Sequence, residues 1–200
     1  MAKANWVKVN PSSGSGNANV NVSSTAAHTG RVVRTTILTW KAANVANIER
    51  TVNQAGKPEY VDIDDSASAG QAGQVVTISG VSNSKRLTFS LGQGDLSIDL
   101  PPTYIANSVV TSNGATISGD PGATAAYNFS ISITVPANTS TTEKSCQIVV
   151  TDEGGHKDAC WLTSASGDAY VTVPEGVIEL DYKGTAVTVE VKSNTTWSIE

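Results

Sequence analysis

Apolar and polar residues alternate with period two along much of this chain. Tyr127-Asn128-Phe129-Ser130-Ile131-Ser132-Ile133-Thr134-Val135 is the cleanest example. Such alternation marks a β-strand buried on one face. The same rule picks out Val20 to Val22, Thr36 to Trp40 and Ile48 to Val52 in the first quarter. Further strands are expected at Tyr60 to Ile63, Val75 to Ile78, Leu87 to Leu91, Leu96 to Ile98 and Cys146 to Val150. The last set is Ala159 to Thr163, Tyr170 to Val173, Val177 to Leu180 and Ala186 to Val191. Gly, Asn, Asp, Ser and Pro fill the gaps at intervals of roughly ten residues, the spacing of a β-sandwich. The nearest approach to helical periodicity, Val45 to Arg50, is too short and uncapped.

Composition agrees with this pattern. Of 200 residues, 23 are Val, 12 Ile and 23 Thr, against seven Leu and one Met. β-Branched side chains suit a pleated sheet, so an all-β fold is expected and a helix-rich enzyme is not. No apolar run approaches the ~20 residues of a membrane helix. Met1 to Trp6 has no apolar signal core, which reads as synthesis and folding in a cytosol. The sequons at Asn21, Asn128, Asn138 and Asn194 read as incidental in a chain rich in Asn, Ser and Thr.

A weak internal repeat organises the strands. Arg31 to Thr39 leads through a turn and a strand to Gln54-Ala55-Gly56 and then Pro58-Glu59-Tyr60-Val61. Thr142 to Thr151 leads in the same way to Ser166-Gly167-Asp168 and then Ala169-Tyr170-Val171. Module boundaries therefore fall near residues 57 and 167. Residues 58–167 have the length and strand count of a complete Ig-like sandwich. Residues 1–57 and 168–200 are too short for one, and read as partial modules.

One stretch of the first segment runs Asn5-Trp6-Val7-Lys8-Val9-Asn10-Pro11-Ser12-Ser13-Gly14-Ser15-Gly16, and continues through Val20-Asn21-Val22 to Arg34, Ile37 and Gln54-Ala55-Gly56. It resembles the second half of a BACON module, an Ig-like sandwich common in gut Bacteroidetes and their crAss-like phages. The tail, Val187-Thr188-Val189-Glu190-Val191-Lys192-Ser193-Asn194-Thr195-Thr196-Trp197-Ser198-Ile199, resembles the first half of the same module. The centre resembles the family more loosely, at Val81-Ser82-Asn83 and Ala137-Asn138-Thr139. The resemblance implies tandem Ig-like, BACON-like β-sandwich modules, with a complete module between two partial ones. It also implies that Trp6 and Trp197 mark module cores.

Charge is segregated along these segments. Residues 1–57 carry seven Lys/Arg and one Glu, net +6; residues 58–167 are net −7; residues 168–200 are net −4. The two end segments are thus complementary in strand content and in charge. Three arrangements satisfy this: residues 168–200 open a further module, a neighbouring copy completes each half, or the halves close within one chain. A net charge of −5 speaks against a nucleic-acid partner.

Candidate chemistry is sparse. His28 and His156 read as solvated turn residues, and no nucleophile elbow or phosphate loop occurs. Asp62, Asp64 and Asp65 read as a solvated acidic face, and neither a catalytic set, a metal site nor a cofactor is expected. Cys146 and Cys160 flank a hairpin turn and are expected opposite each other, reduced. Trp40 and Trp161 end two hairpin strands and are the candidates for stacking on a glycan. Arg31, Arg34, Lys41 and Arg50, in the basic segment, are the candidates for docking on an acidic partner surface. From the resemblance and the missing signal core, the expected function is a non-enzymatic structural protein of a phage virion. It would be a capsid decoration, head fibre or tail-associated protein, assembled in the host cytoplasm, whose partners are other virion proteins and copies of itself. The alternative is a glycan-binding or spacer module of a bacterial surface protein or glycoside hydrolase, meeting a host-surface glycan.

Overall fold

A computed structural model describes residues 3–200. The protein is all-β. Four strands lie in the first segment: β1 (Val7–Asn10), β2 (Asn21–Ser24), β3 (Arg34–Trp40) and β4 (Ile48–Gln54). Nine follow: β5 (Val61–Ile63), β6 (Ser66–Ala69), β7 (Gln74–Ser82), β8 (Leu87–Gly94), β9 (Thr103–Ala106), β10 (Val109–Ser112), β11 (Tyr127–Val135), β12 (Lys144–Asp152) and β13 (Lys157–Ser164). The last are two short strands, β14 (Val171–Thr172) and β15 (Lys192–Ser193). One 3₁₀ turn, Pro121–Ala123, precedes β11.

Strands β5 to β13 form a sandwich. One sheet runs β10-β9-β11-β7-β5 and the other β6-β13-β12-β8. The period-two pattern fixes the register: in β11 the odd-numbered residues from Tyr127 to Val135 are all buried. They meet Leu87, Phe89, Ile148, Val150 and Leu162 from the facing sheet in one cluster. Phe89 is central, with Tyr104 and Phe129 at ring-centroid distances of 5.1 and 5.9 Å. Every member of this core lies between Ile63 and Leu162.

The end segments are open by comparison. Residues 3–57 hold two separate hairpins, β1-β2 and β3-β4, and their buried hydrophobics are Val7 and Leu38. Residues 168–200 pair only at Val171↔Ser193 and Thr172↔Lys192, and bury no side chain fully. Strands expected at Val177 to Leu180 and Ala186 to Val191 are not formed. A strand needs a partner for its N–H and C=O groups, and these two have none within the described residues. Leu96 and Ile98 are buried as anticipated, but in irregular extended chain.

Cys146 and Cys160 are both buried and free. They are not opposite each other: Cys146 faces Leu162 and Cys160 faces Ile148, so the two are diagonal on the inner face. Burial pushes both thiols up, Cys160 to about 11.

Candidate functional site: a twice-built joint

The best-defined polar constellation lies where the first segment meets the sandwich, and Asn83 is its centre. This residue follows β7 and is fully buried. Its Oδ1 accepts from Tyr60 N at 3.0 Å. Its Nδ2 faces the carbonyls of Pro58 at 3.1 Å, Lys57 at 3.2 Å and Thr29 at 3.4 Å. One side chain therefore ties together the linker, the sandwich and the preceding segment. Around it, Lys57 N donates to Gly30 O at 2.8 Å, and the backbone N–H groups of Arg31 and Val32 donate to Gly122 and Ala123. Arg31 clamps Asp120 through both guanidinium nitrogens and also donates to Asn83 O at 3.1 Å. Such a fork holds planar geometry as well as charge. The pair holds the Asp120 carboxyl below the usual carboxylate range.

The same joint recurs at the far end of the sandwich, about 110 residues on. Asn194 Oδ1 accepts from Tyr170 N at 3.0 Å, and its Nδ2 donates to Asp168 O and Thr139 O. Gly167 N donates to Ser140 O at 2.7 Å, as Lys57 N does to Gly30. Ser82 Oγ donates to Tyr60 O at 2.7 Å, and Ser193 Oγ to Tyr170 O at 2.8 Å. The pairing Val61↔Ser82 has its counterpart in Val171↔Ser193. The tight turns match too: Gly73 N donates to Gly70 O and Gly184 N to Asp181 O, both at 3.0 Å. Both glycines have positive φ, +74° and +70°, which L side chains rarely adopt. Even the residue before each joint corresponds. His28 donates from Nε2 to Val32 O at 2.7 Å, and Asn138 from Nδ2 to Thr142 O at 2.8 Å. His28 is therefore a buried structural donor, against the expectation of a solvated turn residue. The amides of Asn138 and Asn194, both in sequons, are engaged in these bonds.

This correspondence gives each end segment a place in the sandwich plan. Hairpin β3-β4 has the register of β12-β13, with Trp40↔Ile48 lying 110 residues before Val150↔Asp158. Strands β14 and β15 stand for β5 and the end of β7. Trp197 and Ile199 follow Asn194 by three and five residues, where Leu87 and Phe89 follow Asn83 by four and six. Leu87 is 0% exposed, whereas Trp197 is 51% and Ile199 82% exposed.

The remaining residues singled out from sequence do not converge on one place. Trp6 is half-buried, with the Arg34 guanidinium 4.7 Å from its ring centroid. Arg34 also donates to Gln54 Oε1 from Nε and Nη2. Arg31 is taken up in the chain's own joint, so of the four basic docking candidates Lys41 and Arg50 are the exposed ones. Trp161 lies opposite Gln147 on the outer face of its sheet and is 40% exposed. Trp40 lies on the inner side of β3 with Leu38, beside a groove of about 640 Å³ also lined by Val9, Pro11 and Val20. It corresponds to Val150, which is 0% exposed. Trp40 thus lies on the Leu38 side of β3, 41% exposed beside that groove. At the β12-β13 turn, His156 lies against the buried Asp152 carboxylate at 2.8 Å. Asp64 accepts from Ser79 N, which accounts for one member of the acidic string. Among the described residues no three His, Cys, Asp or Glu side chains converge as metal ligands.

Reasoning from sequence alone missed Asn83, Thr29 and Asp120. The available signal was the repeated Ser-Asn dipeptide, at Ser82-Asn83 and Ser193-Asn194, each 22 or 23 residues after a Tyr-Val pair. No family model matches the chain, and no curated protein matches it.

Proposed function

We propose that this chain is a non-enzymatic assembly protein whose Ig-like, BACON-like modules are strung in series to dock and space other components of a phage particle. The observation that carries the modular part is the joint built twice with the same bonds, through Asn83 and through Asn194. A stereotyped joint is what a serial spacer needs, because it gives successive modules a set orientation. The phage setting rests on the resemblance of residues 5–56 and 187–199 to BACON modules. Lys41 and Arg50, exposed in the net +6 segment, supply a surface for an acidic partner.

The glycan-binding alternative keeps one supporting observation, the half-exposed Trp161 on an outer sheet face. Two measurements decide between the readings. Antibody raised against the chain is expected to decorate purified particles from an infected culture of the source strain. Decoration of uninfected cell surfaces, with no label on particles, overturns the particle reading. On a glycan array the chain is expected to bind no better than its Trp161→Ala variant, and a glycan held by the parent and lost in that variant establishes the alternative.

A further inference from the structure

Asp120-Pro121 is the one Asp-Pro pair in the chain. It lies in the loop between β10 and β11, on the stretch that receives the first segment. Its backbone is unusual twice over. Asp120 is left-handed, at φ +44° and ψ +63°. A side chain rarely adopts that region, and a residue before proline is steered toward extended backbone. Gly119, just before it, is also left-handed, at φ +74°. Such outliers persist where the surrounding structure imposes them, and they cluster at sites of chemistry.

The groups needed to break this bond stand within the loop. An Asp carboxylate reaches its own carbonyl carbon by closing a five-membered ring. The Asp120 carbonyl accepts from Ala123 N at 3.1 Å, so a donor already stands at the oxygen that gains charge during such an attack. Pro121 offers a tertiary amide nitrogen, which leaves as a secondary amine once it takes a proton. The Asp120 side chain does not cap the 3₁₀ turn that it precedes. It is turned to Arg31 instead, whose Nη1 lies 2.6 Å from Oδ1 and whose Nη2 meets Oδ2, so both oxygens are engaged. The side chain is still 37% exposed, and a groove of about 340 Å³ lined by Ser118, Gly119, Pro121 and Tyr127 brings water to the bond.

We propose that Asp120-Pro121 is a self-cleavage site and that Arg31 is its latch. With the fork closed, the carboxylate is engaged and the bond persists. When the fork opens, an Asp120 carboxyl oxygen attacks the Asp120 carbonyl carbon. The C–N bond to Pro121 breaks, and the proline nitrogen takes a proton and leaves as an amine. The cyclic anhydride left at Asp120 adds water and opens to two carboxyl groups. One water is consumed, and nothing is oxidised or reduced. Acid favours the cut, because the proton that releases the carboxyl from Arg31 is the one Pro121 needs. Lys85 faces Asp120, and Glu59 and Glu153 face Arg31. Lys85 favours the carboxylate and the two glutamates favour the guanidinium, so all three keep the latch closed at neutral pH. The cut leaves the central sandwich whole, because β11 stays paired to β7 over nine rungs. It loosens the loop whose Gly122 and Ala123 carbonyls hold Arg31 and Val32, which gives the first joint a one-way release. This inference stands apart from the assembly reading above.

The test follows intact mass over time at about pH 5 for the full chain, Arg31→Met and Arg31→Met/Asp120→Asn. The same chain unfolded in urea is the reference for an Asp-Pro bond with neither latch nor imposed backbone. Arg31→Met is expected to yield fragments 1–120 and 121–200, whose masses sum to that of the intact variant plus one water. Its rate is expected to exceed that of the parent, and that of the unfolded chain, by about tenfold or more, because the fold holds the carbonyl and its donor in place. With Asp120→Asn in the same background the chain stays intact over that time. An unchanged central melting transition verifies that each variant folds. Where Arg31→Met does not fold, the parent decides: below about pH 4, where its own fork opens, it must cleave faster folded than in urea at the same pH. A folded Arg31→Met chain that cleaves no faster than the unfolded one overturns the site, as does a cut that survives Asp120→Asn. A parent that cleaves as fast as Arg31→Met overturns the latch. Particle decoration is unaffected by any of these outcomes, so failure of the cut and failure of the assembly reading are told apart.

Discussion

Asn83 combines a donor and an acceptor on one rigid plane, and its burial makes both count. A buried amide whose partners are removed leaves their desolvation uncompensated, at a cost of ~1–3 kcal/mol. Asn83→Ala strips one N–H and three carbonyls of a partner at once. It is expected to lower the stability of the central sandwich by about that amount in urea unfolding. Asn194→Ala removes the matching bonds from a half-buried site outside the central core, within reach of water. It is expected to leave that transition unchanged within ~0.5 kcal/mol. Equal losses from both substitutions would refute this account. Sequence patterning does not reveal such a residue, because Asn reads first as a turn former. Its meaning here comes from segments that are distant in sequence and adjacent in space.

At the scale of elements, alternation was legible wherever a strand has both a buried face and a partner. Strands β7, β8, β11, β12 and β13 lie where the pattern of Val, Ile and Phe places them. The short strands β6, β9 and β10 were not legible, because Ser66 to Ala69 and Val109 to Ser112 are too short to show a period. The opposite failure occurred at Ala186 to Val191, which carries a strand pattern without a strand. Pattern reports what a segment is suited to, and pairing decides whether it is realised. At the joint, linkers were expected near residues 57 and 167, and nothing in the pattern named Asn83 as the side chain that bonds to Lys57 and Pro58. Within the sheet, Gly80 shows how tightly elements are matched. A Cβ there would run into the Phe129 ring, which lies over β7, and into Asp62 O. Gly80→Ala is expected to destabilise the sandwich by ~1–3 kcal/mol. A double-mutant cycle with Phe129→Leu should show coupling of at least ~0.5 kcal/mol, and additivity would argue against the ring as the obstacle.

For the whole molecule, the first joint should respond to acid. Arg31 lowers the folded-state pKa of Asp120, so this pair contributes stability above the unfolded carboxylate value and loses it as pH falls through the folded one. The window is therefore below about pH 4, with the full contribution present at neutrality. The amides of Arg31 and Val32, bonded to Gly122 and Ala123, are expected to lose hydrogen-exchange protection in that window while β11 keeps its own. Asp120→Asn should show the weakened protection already at pH 7, with no further acid step. Protection that is independent of pH in the parent would mean that backbone bonds alone hold the joint. The placement of Asn83 after β7 and of Asn194 at the matching point after β15 also has a mechanical consequence. Each clamp grips the linker and both flanking bodies, so bending or twisting between neighbours must break several bonds together. A string of such units would behave as a jointless rod of set pitch. Tension along it would load the linker at the short β5 strand, whose three rungs to β7 should part before the nine of β11.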